Sequence, residues 1–78
     1  MELKVVTVLE LIDTENANVS VNAFTDDDEG NRQAEELMFT LAKENGYVGS
    51  AKNLDEFMEE EGDCWQNNSG YTVLITHS

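Results

Sequence analysis

The sequence has no proline, one cysteine, one histidine, one tryptophan and only four lysines and arginines in 78 residues. Each shortage excludes something. Acidic disordered tails are usually rich in proline, and Leu, Ile, Val and Phe make up about a quarter of this chain, above the roughly 20% typical of disordered sequences. The chain is therefore expected to fold. Cys64 has no partner for an internal disulfide, which points to a reducing, cytoplasmic setting. One Cys and one His cannot complete a tetrahedral zinc site, and no glycine-rich phosphate loop occurs. No apolar run reaches the length of a signal-peptide core or a membrane span. Four cations against seventeen acids give a net charge of −13, which excludes direct nucleic-acid binding by phosphate neutralisation and a polybasic membrane-surface role. At this length the expectation is a single acidic domain over residues 1–78 with a small core.

What is present reads as an α+β pattern. Leu3, Val5, Thr7, Leu9 and Leu11 alternate with Lys4, Val6, Val8, Glu10 and Ile12, a β-rich run with a period of two. Turn residues at 13–17 lead into a second alternating run, Val19, Val21 and Ala23 against Ser20, Asn22 and Phe24. A loop at 14–16 pairs Leu11 with Val19, Leu9 with Val21 and Thr7 with Ala23. That register sets Leu3, Val5, Leu9, Leu11, Val19 and Val21 on one face, the expected core side. Val6, Val8, Ile12 and Phe24 fall on the other, where Leu74 is a candidate to join them.

Ala34, Leu37, Met38, Leu41 and Ala42 follow helical spacing after Asp26-Asp27-Asp28, with Lys43 and Asn45-Gly46 at the far end. Acids at the start, a cation at the end and a left-handed stop predict a helix over about 29–45. Asn53-Leu54-Asp55-Glu56 resembles a capping box for a short second helix through Phe57 and Met58, ending by Gly62. Tyr71–Thr76 reads as the last strand, with Cys64-Trp65-Gln66 a candidate hairpin partner. The expected fold is ββααβ: an antiparallel three-stranded sheet in the order 2-1-3, a short fourth strand where 64–66 pairs, and helices packed on one face.

Several constellations invite chemistry. An EF-hand loop wants ligands at positions 1, 3 and 5, Gly at 6 and Glu at 12; starting at Thr25, it finds Asp27, Glu29, Gly30 and Glu36. Against it stand Thr25 at the first position, Arg32 where an apolar residue docks the loop, and a preceding strand instead of a helix. An acidic helix start explains the same residues, and calcium-linked folding over 25–36 is kept as a second alternative. A Cys–His pair would have to join Cys64 to His77, which the 67–70 turn holds apart along the strand. Abundant carboxylates without a cleft do not make a glycosidase. No catalytic residue, resident metal or cofactor is expected, and the protein reads as non-enzymatic.

Charge placement says more. Asp26, Asp27, Asp28 and Glu29 suit the positive end of a helix dipole, but Glu59, Glu60 and Glu61, with Asp63 just beyond, stand at a negative end. Each acid there costs roughly 0.3–1 kcal/mol at low salt. Either the helix stops before Glu59, or something outside the chain draws these acids together. A charge magnitude of 13 also exceeds the roughly 2–8 that suffices for the solubility of a small domain. In size, charge and mixed α+β character the chain resembles small phage-encoded inhibitors that imitate nucleic acid, among them some anti-restriction and anti-CRISPR proteins; no motif of any such family is matched. The resemblance implies a partner with a basic surface, such as a nucleic-acid-binding protein, met by the two acidic stretches as phosphate surrogates. The alternative is an accessory or homodimeric domain that binds through an apolar sheet face bearing Val6, Val8 and Phe24, with Trp65 as an anchor and acidity serving solubility only.

Overall fold

A computed structural model describes residues 4–13 and 18–77. The elements run β1 (Val5–Asp13), β2 (Asn18–Thr25), α1 (Asp28–Glu44), α2 (Leu54–Glu61), β3 (Cys64–Gln66) and β4 (Thr72–His77). The strands form one four-stranded sheet in the order β2-β1-β4-β3, antiparallel throughout. The α+β class holds, and the short fourth strand is real. β1 and β2 pair Leu11↔Val19, Leu9↔Val21, Thr7↔Ala23 and Val6↔Phe24, the register that the alternation calls for. Leu3 and the turn at 14–16 lie outside the described residues.

The helices begin and end where side chains can satisfy their unpaired backbone groups. Extended Asp27 caps α1 by accepting a 2.7 Å hydrogen bond from the Gly30 amide. Asp28 and Glu29 fill the first turn and Lys43 the last. At the far end the Asn45 side chain donates to the Leu41 carbonyl at 2.7 Å. The helix buries Gly30, Ala34, Met38 and Ala42, a four-residue stripe small enough to bring its axis close to the sheet. Gly30 is the tightest point, because a Cβ there would collide with the Thr25 carbonyl oxygen. In α2, Asn53 accepts from the Glu56 amide at 2.9 Å. Glu56 returns the contact to the Lys52 amide at 2.9 Å, one residue before the position a closed capping box uses.

An aromatic cluster joins the helix layer to the sheet. Phe57 of α2 is fully buried and stacks on Phe39 of α1 at 4.7 Å between centroids. Tyr47, in the connection between the helices, meets Phe39, Phe57 and Trp65 edge-on, and its hydroxyl accepts from the Ala51 amide at 3.2 Å. Beneath lie Val6, Val8, Val73, Ile75, Trp65 and Tyr71.

The core therefore occupies the face opposite to the one expected. Val6 and Val8 are 0% exposed and Trp65 9%, and Phe24 packs against this cluster. None of the four forms an apolar surface open to a partner. Val5, Leu9, Leu11, Val19 and Val21 face away from the helices, and Leu74 joins them because it pairs with Leu9. The reason lies in the aromatics. Phe24 pairs with Val6, Val73 with Trp65, and Ile75 with Val8, so the bulky rings share the phase of Val6 and Val8. Aromatic side chains bury 150–250 Å² each and dominate where a small core forms.

Candidate functional site

The first acidic stretch stands at one end of the sheet. β1 begins at this end, β2 and β4 finish at it, and α1 starts from it. Asp26 is the junction. Its amide donates to the Lys4 carbonyl at 3.1 Å, one carboxylate oxygen accepts from Asn31 at 2.7 Å, and the other lies 3.6 Å from His77 Nδ1. The Asn31 hydrogen bond, reinforced by His77 against partial desolvation, holds the Asp26 carboxyl below the usual carboxylate range. Asp27, Asp28 and Glu29 follow, all exposed, with Asp27 already engaged as a cap.

The second stretch closes α2 and leads into β3, the edge strand opposite β2. α2 does not stop before Glu59 but continues through Glu61, with no basic residue in its last turn. Glu59, Glu60 and Asp63 are exposed and Glu61 half-buried. Glu60 accepts a 3.2 Å hydrogen bond from the Ser50 hydroxyl. Burial first, then the neighbouring Glu60 and Glu61 charges, push the Tyr47 hydroxyl above its ordinary range. The Asp63 carbonyl accepts from the Ile75 amide at 2.8 Å, two residues along β4 from the His77 that meets Asp26. Among the described residues, ion pairs form only at Arg32–Glu36 and His77–Asp26, so Glu59, Glu60, Glu61 and Asp63 meet no cation of their own chain.

The open sheet face has the opposite character. β1 contributes Val5, Thr7, Leu9 and Leu11; β2 contributes Val19, Val21, Ala23 and Thr25; β4 contributes Thr72, Leu74 and Thr76; β3 contributes Cys64 and Gln66. None of these side chains is charged, in a chain of which 27% of residues are. Val19 and Val21 are 52% and 57% exposed, while β2 turns Ser20 and Asn22 toward the helix side. Nothing in the sequence reading placed this face in solvent. The phase shared by Phe24, Trp65 and Tyr71 is the signal that identifies it.

The remaining constellations come apart. Cys64 pairs with Leu74 and His77 with Val6, so the thiol and the imidazole lie on opposite faces of the sheet. The residues of the calcium reading are taken up by a helix: Asp27 caps α1, and Glu36 lies two turns on, bonded to Arg32 at 3.2 Å. No group of three or more acidic, His or Cys side chains among the described residues is placed to hold a metal. An open depression of about 180 Å³ beside the α1 N-terminus is lined by Thr25, Asp27, Glu29, Gly30 and Gln33; its two carboxylates are the cap itself, Asp27, and Glu29 of the first turn. Tyr71 donates to Glu10 at 2.8 Å, and burial, then that carboxylate, raise its hydroxyl well above the tyrosine range. No helix among the described residues is long and apolar enough to cross a membrane. Compared with known protein families, curated proteins and solved structures, the chain matches none.

Proposed function

We propose that this is a non-enzymatic binding protein whose acidic stretches occupy a basic protein surface of the kind that holds nucleic-acid phosphates. The observation that carries the reading is the exposure of acids in two stretches some thirty residues apart in sequence, Asp27, Asp28 and Glu29 in the first and Glu59, Glu60 and Asp63 in the second. Among the described residues the second stretch makes no ion pair, and its acids sit where the α2 dipole disfavours them. Such a surface speeds encounter with a cationic groove and loses affinity as salt rises. A partner that ordinarily binds a phosphate backbone would be inhibited by occupation of its groove, the mode of a nucleic-acid mimic of the phage anti-defence type. The lone, exposed Cys64 suits a reducing compartment, and we assign the protein to the cytoplasm on that basis.

The test uses host proteins retained on phosphocellulose as the source of partner. Immobilised protein should retain one of them at low salt, release it to duplex DNA in competition, and lose it when Glu59, Glu60 and Glu61 are replaced by Lys. Retention that duplex DNA and the triple replacement both leave intact would refute the reading.

A further inference from the structure

We propose that the protein is a homodimer in which the open sheet faces of two copies pack against each other. Three observations carry this. The first is that β2 turns its polar Ser20 and Asn22 toward the helix side and its Val19 and Val21 outward, the reverse of a strand whose outer face is meant for water. The second is charge. Two chains that each carry −13 repel wherever their carboxylates face one another, and the open face is an area of four strands on which none of the described side chains is charged. A basic partner, by contrast, gains nothing from a surface without acids, so the occupant that suits this face is one for which the absence of charge matters: a second copy of the chain.

The third is size. Strands about 4.8 Å apart that rise about 3.4 Å per residue give this face roughly 17 by 24 Å, and apposing two such faces removes on the order of 1,000 Å² from water, the level at which specific interfaces begin. The contact is isologous, closed by a twofold axis, with the two sheets about 10 Å apart as in a β-sandwich. Asp28 and Glu29 of α1 and Glu59–Glu61 of α2 belong to the helix layer on the other face, away from this interface. Dimerisation and capture of a basic partner fail independently, because salt moves them in opposite directions: screening strengthens the first and weakens the second.

Sedimentation velocity of the full chain, from micromolar to sub-millimolar concentration at low and high NaCl, tests this. The expected result is a species of two 8.7-kDa chains whose population grows with concentration and with salt, together with slower alkylation of Cys64, which lies on the same face. Val21→Asp and Val21→Lys should each raise the dissociation constant by at least about tenfold and restore the monomer's alkylation rate. Both should keep the far-ultraviolet circular dichroism of the parent. Using both signs of charge separates loss of apolar contact from a change in net charge. A parent chain that stays monomeric throughout, association that weakens with salt, or folded Val21 variants that dimerise as the parent does would each overturn the proposal. The last outcome would point instead to pairing through the β2 edge.

Discussion

Val8 and Leu9 are adjacent in β1, both apolar, each flanked by paired strands on both sides. Val8 is sealed beneath the helices, whereas Leu9 lies on the side the helices do not cover and is only partly buried. The same contrast runs across the whole sheet: one face holds the rings and the helix layer, the other holds aliphatic and hydroxyl side chains without a charge. Aliphatic content does not separate the two faces. Burial follows the aromatic residues, and most of the acids that the chain carries in such excess stand in the helices and at their ends.

The sharpest way to break this comparison is to place the same carboxylate on each face. Val8→Asp puts an unpaired charge in the core and should unfold the protein, a loss of several kcal/mol. Val21→Asp, studied at low concentration where only the monomer is present, should shift stability by about 0.5 kcal/mol or less. Urea denaturation checks both; equal losses would mean that the open face is part of the folding core. Next in size is Gly30→Ala, which drives a Cβ against the Thr25 carbonyl and lifts α1 from the sheet. A loss of about 1–3 kcal/mol is expected by the same measurement.

Smaller effects concern the two acidic stretches. Glu59→Lys removes an acid from the negative end of α2 and should stabilise the fold by about 0.3–1 kcal/mol at low salt, with the gain shrinking as NaCl rises, while weakening capture of a basic partner. A residue that costs stability and serves binding should show this opposition; loss on both counts would mean that Glu59 is structural. The smallest effect is the acid limb of the stability curve. The Asp26 carboxyl titrates lower in the folded chain than in the unfolded one, so its contribution is present above about pH 4 and is lost as pH falls through the folded value. Thermal unfolding from neutral to acidic pH should show Asp26→Asn flattening that part of the curve.

Much of this was legible in the sequence. The β1–β2 register follows from alternation because a one-residue slip would reverse every side chain. The bounds of α1 follow from Asp27, Lys43 and Asn45, and those of α2 from Asn53 and Gly62, because capping residues act locally. Which face becomes the core was not legible from the aliphatic pattern, since β1 is apolar on both sides and β2 alone favours the side that stays open. That decision is made by partners distant in sequence, Phe57 against Phe39 and Tyr47 against Trp65, whose contacts exist only once the helices pack on the sheet. Of the candidate surfaces, the acidic residues other than Asp26 and Glu61, which are half-buried, are exposed, because charges rarely leave water unpaired. The apolar set of Val6, Val8, Phe24 and Trp65 is not, for it was chosen by face, and the face was reversed. Tyr47, the link between both helices and Trp65, carried no pattern that would single it out.

The most direct test is the salt dependence of affinity for a captured basic partner, measured for the parent chain and for the variant with Glu59, Glu60 and Glu61 replaced by Lys. If the acidic stretch at the end of α2 makes the contact, log K falls steeply with log[NaCl] for the parent, and the variant binds more weakly with a shallower slope. Equal affinity and equal slope for the two proteins would contradict it.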